Sequence, residues 1–233
     1  MAKVALISGG GRGLGAAITR RLLSDGWTVS LGIRDVSQAA QFGLGEDRLI
    51  ASRYDANEPE TAQAWVDTTA ARLGRIDALV NNAGILRMVD FAQGSAEDLD
   101  ALWAVNVKAP FLLIRAALPE LRKGGSGRIV NIASTDGKRF RQGTSVGYSM
   151  TKHALLALTQ AARAEGWEDG IRATAICPGA IDTELIAGLP SIAPKADRLS
   201  PETVADMVAF LLSLPNQASV PELIANTRLE SLI

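Results

Sequence analysis

Tyr148 and Lys152 stand four residues apart in the run Tyr148-Ser149-Met150-Thr151-Lys152. On a helix that spacing puts both side chains on one face. A free phenol, with a pKa of about 10, is a poor reversible proton carrier at neutral pH. An ammonium held beside it favours the phenolate, so the tyrosine pKa is expected to lie below that value. Such a pair trades a proton with a substrate oxygen. The same two residues on an exposed helix would be ordinary surface neighbours, so the elements that hold them decide the matter.

Those elements alternate. The apolar runs 4–8, 28–33, 48–54, 78–81, 128–132 and 172–177 read as strands, with 219–224 as a seventh. Leu14, Ile18, Leu22 and Leu23 recur at helical spacing over 14–25, where Gly26 stops them. Further helices are expected over 60–73, 96–107, 110–121, 146–165 and 201–214. This alternation implies parallel pairing with right-handed crossovers. The expected fold is α/β, one doubly wound parallel sheet with helices on both faces, in a single domain over 1–233. Segment 186–200 carries Gly188, Pro190 and Pro194, is the least regular, and is expected to be a flap over a substrate.

Bulk properties exclude several classes. A hydrophobic fraction of 47% suits a buried core, and a net charge of -1 gives no case for nucleic acid or anionic membrane. The single cysteine, Cys177, forms no internal disulfide. No stretch approaches the ~20 apolar residues of a membrane span. The longest candidate, 109–118, is broken by Pro110 and Arg115. A cytoplasmic protein is expected. No His, Cys and carboxylate cluster has metal-ligand spacing. His153, beside Lys152 on another face, is expected to pack rather than catalyse.

Between the first strand and first helix lies Ser8-Gly9-Gly10-Gly11-Arg12-Gly13-Leu14-Gly15. Gly9, Gly13 and Gly15 allow a tight turn and close backbone approach to a pyrophosphate at the helix N-terminus. The spacing Gly-x-x-x-Gly-x-Gly differs from the common Gly-x-Gly-x-x-Gly. A flexible loop before a helix is the plainer alternative.

Taken together, the residues resemble the short-chain dehydrogenase/reductase family from about Lys3 to Thr183. The glycine turn looks like that family's cofactor turn, engaging Ser8, Gly9, Arg12, Gly13, Leu14 and Gly15. Asp55-Ala56 resembles the pair that contacts adenine, and Asn82-Ala83-Gly84 the motif after the fourth strand. Pro178-Gly179, with Ile181 and Thr183, resembles the segment around the nicotinamide. Asn106, Ser134, Tyr148 and Lys152 match the catalytic tetrad. The resemblance implies a Rossmann-type sheet, an NAD(P)-dependent carbonyl/alcohol oxidoreductase, and a homodimer or homotetramer built through 96–107, 110–121 and 146–165. It implies that Lys152 also binds the nicotinamide ribose, that Ser134 orients the substrate oxygen, and that Asn106 holds a water. Many members end near Thr-Gly…Asp-Gly-Gly. This chain runs Asn216-Gln217-Ala218-Ser219-Val220-Pro221-Glu222-Leu223-Ile224 instead, which resembles a subset acting on small hydroxy-acids or carbonyls.

Aligned with that pattern, Ile33 falls where an acidic residue would take the ribose 2′-hydroxyl of NAD. Arg34 follows it, and Arg12 lies in the turn, so two guanidiniums could meet a 2′-phosphate. NADP is therefore expected, with NAD the alternative should Asp35 reach the ribose. Lys138, Arg139 and Arg141, between Ser134 and Tyr148, could clamp an anionic substrate or lie in a solvated loop or subunit contact. Leu86, Met88, Phe140, Ile181, Leu185 and Leu189 are candidate apolar wall residues, each open to a simple packing role. A small carbonyl or alcohol is the expected substrate. A dinucleotide sensor without turnover is the rival class, and it would need no Tyr-Lys pair.

Overall fold

Every residue of Val4–Ser8 (β1), Thr28–Ile33 (β2) and Arg128–Ile132 (β5) is buried. Strands buried throughout, rather than on alternate residues, belong to a sheet covered on both faces. A computed structural model describes residues 2–187, 189 and 194–228. In it these strands join Leu49–Arg53 (β3), Ala78–Asn81 (β4), Arg172–Pro178 (β6) and Glu222–Ala225 (β7). The sheet is parallel throughout, in the order β3-β2-β1-β4-β5-β6-β7. Strand order reverses between β1 and β4, which opens a crevice at their C-terminal ends.

Six helices cover the sheet: Gly13–Ser24 (α1), Glu60–Leu73 (α2), Ala96–Trp103 (α3), Ala109–Lys123 (α4), Val146–Glu165 (α5) and Pro201–Ser213 (α6). Successive strand residues point to opposite faces. Ala5 and Ile7 therefore pack with Ile18 and Leu22 of α1 and Val204 and Val208 of α6. Leu6, between them, packs with Trp65 of α2 and Leu113 and Leu121 of α4.

The structure corrects three sequence expectations. Helices over 96–107 and 110–121 are one run, α3 to α4, joined by a π turn at Ala104–Lys108. Pro110 has no N–H for the carbonyl four residues back. The chain stays helical because Ala109 donates to the Ala104 carbonyl, five residues back. That continuous helix, Ala96–Lys123, is long and apolar enough to cross a membrane, contrary to the expectation that no stretch was. Its apolar side is occupied by the core, with 56% of the most apolar window buried. The last strand is shifted from 219–224 to Glu222–Ala225, because Pro221 cannot donate to the ladder. Its carbonyl instead accepts from the Ala175 amide.

The expected flap, 186–200, falls partly outside the described residues. Within them, Glu184–Ile186 and Lys195–Asp197 form short 3-10 turns, and Ile181 bridges Leu199.

Candidate active site

The glycine turn is stitched to the end of β4. The Ser8 hydroxyl accepts from the amides of Asn82 (3.0 Å) and Ala83 (3.1 Å). The Asn82 side chain donates to the carbonyls of Ser8 (3.0 Å) and Gly9 (3.2 Å). Gly9 has φ +66, the left-handed region that favours glycine. A Cβ on Gly15 would lie 2.1 Å from the Gly9 carbonyl oxygen and 2.7 Å from the Asn82 amide nitrogen. Leu14 is buried in the core, so it offers the crevice only its backbone. Arg12 sits at the N-cap of α1 without a side-chain cap, so the first helical N–H groups are open to an acceptor. Across the crevice, a Cβ on Gly13 would come 3.6 Å from the Thr183 methyl. Ser8, Gly9, Gly13, Gly15, Asn82, Ala83 and Thr183 thus converge on one cradle that fits a pyrophosphate. Gly15→Ala should push the turn from the helix at a cost of about 1–3 kcal/mol. Its melting temperature and its affinity for NADPH should both fall. Unchanged values for both would refute the close packing.

Ser145 caps α5 by accepting the Tyr148 amide at 3.1 Å, which fixes the helix start three residues before the tyrosine. Tyr148 and Lys152 are both buried on one helix face. The Lys152 ammonium lies 5.4 Å from the Tyr148 ring centre and donates to the Ile132 carbonyl at 2.8 Å. Ser134 follows β5, and its hydroxyl accepts from the Asp136 amide at 3.1 Å. The π turn carries Asn106. Its side-chain nitrogen donates to the Ile85 carbonyl (2.9 Å) and the Thr151 hydroxyl (3.2 Å), and its oxygen accepts from the Ile85 amide (2.9 Å). A Cβ on Gly84 would be 3.4 Å from that oxygen and 3.8 Å from the Lys152 nitrogen. Glycine at 84 therefore leaves space shared by Asn106 and Lys152.

The electrostatics run opposite to expectation. Burial first, and the Asp136 charge second, push the Tyr148 phenol up, while the Ser134 hydroxyl pulls it down. Burial also pulls Lys152 down to about 8, which the Cys177 thiol opposes. Burial is the largest cause of both shifts, and it favours the neutral form of each group.

At the far end of the crevice, Arg12 pairs with Glu184 at 2.9 Å, both side chains exposed. Arg34 is exposed at the end of β2. Asp35 accepts from the amide (3.0 Å) and hydroxyl (2.7 Å) of Ser37, opening a 3-10 turn at Val36–Phe42 that was not expected. Asp55 accepts from the Asn57 amide at 2.9 Å in the turn after β3, with Ala56 beside it. Pro178 ends β6. Gly179 donates to the Ala225 carbonyl at 2.8 Å, and a Cβ there would lie 2.2 Å from the Asn226 side-chain oxygen.

Two of the three basic residues before Tyr148 are engaged by separate carboxylates. Lys138 pairs with Glu222 of β7, and Arg141 reaches Asp136 through Nε (3.1 Å) and Nη2 (2.9 Å). Phe140 and Leu185, two candidate wall residues, are exposed. Cys177 is buried. His153 is exposed rather than packed, because it lies on the outer face of α5, where its Nδ1 meets the Ser149 carbonyl at 2.8 Å. No metal-binding group occurs among the described residues. Asp136 was missed as a site residue, although a carboxylate two positions after Ser134 was the available signal.

Comparison with known proteins bears on this geometry. The family model for short chain dehydrogenase matches residues 3–191. Agropine synthesis reductase of Rhizobium rhizogenes is 40% identical over 220 residues, which is 94% of this chain and 51% of that protein. The chain spans about half the length of that relative. Acetoacetyl-CoA reductase of Rhizobium meliloti is 35% identical over 222 residues, 91% of this chain and 92% of that one. An alcohol dehydrogenase from the archaeon Thermococcus sibiricus, complexed with 5-hydroxy-NADP, superposes with a TM-score of 0.88 and 29% identity, covering 99% and 100% of the two chains. ElxO with NADP bound gives 0.87 and 26%, covering 96% and 97%.

Proposed function

Because the chain belongs to the short-chain dehydrogenase family, we propose that it interconverts a ketone or aldehyde and the alcohol, with NADP as cofactor. The observation that carries this reading is the buried Tyr148–Lys152 pair on one face of α5, opening beside Ser134 and Gly84. When bound, the nicotinamide supplies or accepts the hydride. Tyr148 holds its proton at neutral pH and gives it to the carbonyl oxygen in reduction, taking it back in oxidation. Ser134 holds that oxygen in line. Lys152 holds the nicotinamide ribose, and Asn106 orients a water. The open N–H groups of α1, with Gly9, Gly13 and Gly15, hold the pyrophosphate. Asp55 and Ala56 border the adenine, and Asn82, Ala83, Gly84, Pro178, Gly179, Ile181 and Thr183 line the rest.

NADP is favoured over NAD by two observations. Arg12 and Arg34 are exposed where the ribose would end, and Asp35 is committed to Ser37. Both solved relatives carry NADP or its hydroxy derivative. The names of the two curated relatives support reduction as the direction. A homo-oligomer through α3, α4 and α5 belongs to the same reading, supported by Trp103, Phe111 and Met150, which stay exposed there.

Oxidation of NADPH and NADH over a panel of aldehydes, ketones and keto-acids tests the activity. NADPH should drive turnover and should bind at least about tenfold more tightly than NADH. The double variant Arg12→Ala, Arg34→Ala should erase that difference while leaving NADH binding unchanged. Equal dissociation constants for the two cofactors in the wild type would refute the preference.

A further inference from the structure

Thr151 is fully buried and immediately precedes Lys152 on α5. Nothing in the proposed reaction uses it. Its hydroxyl has one hydrogen to give, and gives it to the Tyr148 carbonyl at 2.8 Å. The hydroxyl can therefore meet Asn106 only as an acceptor, and it takes a hydrogen from the Asn106 side-chain nitrogen at 3.2 Å. We infer that Thr151 is a positioning residue whose hydroxyl holds the Asn106 amide in register with the helix that carries Tyr148 and Lys152. This deepens the role proposed for Asn106 and rests on it.

The other contacts of Asn106 do a different job. Its oxygen accepts from the Ile85 amide and its nitrogen donates to the Ile85 carbonyl, each at 2.9 Å. Both run to the chain after β4, so they choose which way the amide faces and leave its distance from α5 open. The bond to Thr151 crosses from the π turn at Ala104–Lys108 to α5. It also uses the second amide hydrogen, while the Asn106 oxygen keeps a lone pair beyond the one given to Ile85. That oxygen lies 3.4 Å from the place a Cβ on Gly84 would occupy, and the Lys152 nitrogen lies 3.8 Å from the same place. Oxygen and ammonium thus border one gap, and its width follows from how the π turn is tied to α5. The tie is firm because Asn106 is buried, where an amide N–H without a partner is costly.

Thr151→Val keeps the shape and removes the hydroxyl, whereas Thr151→Ser keeps the hydroxyl and removes the methyl. The test measures kcat for a carbonyl of the panel at saturating NADPH, and the NADPH Kd, in both variants, in Asn106→Ala and in the double variant Thr151→Val, Asn106→Ala. Thr151→Val should lower kcat about tenfold, as a small misplacement of a working group does, and leave the Kd unchanged. Thr151→Ser should retain most of the wild-type rate. In the Asn106→Ala background Thr151→Val should cost nothing further, because the hydroxyl acts through that amide. Wild-type kcat in Thr151→Val, a serine variant as slow as the valine one, or losses that multiply in the double variant would each overturn the inference. A general loosening of α5 predicts the last of these. Should Thr151→Val fail to fold, Thr151→Ala enters the same cycle and is judged by the same outcomes. Wild-type kcat in Asn106→Ala would instead reject the role given to Asn106 in the reaction, and the inference with it.

Discussion

Replacing Tyr148 with phenylalanine should lower kcat/KM for carbonyl reduction by about three orders of magnitude, within the range for a lost general acid. The hydroxyl is the one atom removed. The ring, buried on α5 beside Lys152, keeps its packing, so the fold should not suffer. The pyrophosphate cradle is built by the turn after β1 and the end of β4, and Lys152 is unchanged, so NADPH should bind the variant as it binds the wild type. Steady-state rates with a fluorescence titration of NADPH separate the two effects. Turnover within tenfold of wild type would end the assignment of Tyr148 as proton donor. Loss of cofactor binding in step with activity would end the claim that the hydroxyl serves the chemistry and not the cofactor.

Replacing Lys152 with methionine should abolish turnover and yet make the protein more stable at neutral pH. The ammonium is buried, and its pKa falls from 10.5 to about 8. Each pKa unit corresponds to about 1.4 kcal/mol, so holding that proton in the folded protein costs about 3 kcal/mol below pH 8. A folded pKa below the unfolded one means that the unfolded chain binds the proton more tightly. Stability therefore rises with pH from about 8 to 10.5 and is lowest, with respect to this group, below that window. Methionine fills much of the same volume without the charge, so its curve should lack this rise. Urea denaturation at pH 7 and pH 10 reads both effects. A methionine variant less stable than wild type at pH 7 would show that the lost hydrogen bond to the Ile132 carbonyl outweighs the cost of holding the charge.

Much of this was legible in the chain. The residues 146–165 follow a serine that caps and stop before a glycine, and the helix has those bounds. The strand 28–33 was likewise placed, because a run of apolar residues between Gly26 and Arg34 has few other fates. What failed was of another kind. Pro110 looked like a break because propensity sees the missing N–H and not the π turn that bypasses it. The net shift of the Tyr148 phenol ran against expectation because spacing gives the neighbour, Lys152, but not the burial around both. Asp136 escaped notice because its burial and its pairing with Arg141 appear only in the fold.

The pairing of β1 carries a consequence for how the chain is made. One edge of β1 meets β2 in the register Val4↔Thr28, and the other meets β4 in the register Ala5↔Ala78. During synthesis the first partner emerges some two dozen residues later, and the second only after about fifty more. Until then a largely apolar strand has one open row of amides and carbonyls. Asp77, whose carboxylate accepts the Val4 amide at 2.8 Å, marks the point at which that edge closes. The strand that ends in the glycine turn is made before both of its neighbours, and its central position in the sheet is completed only once β4 has followed.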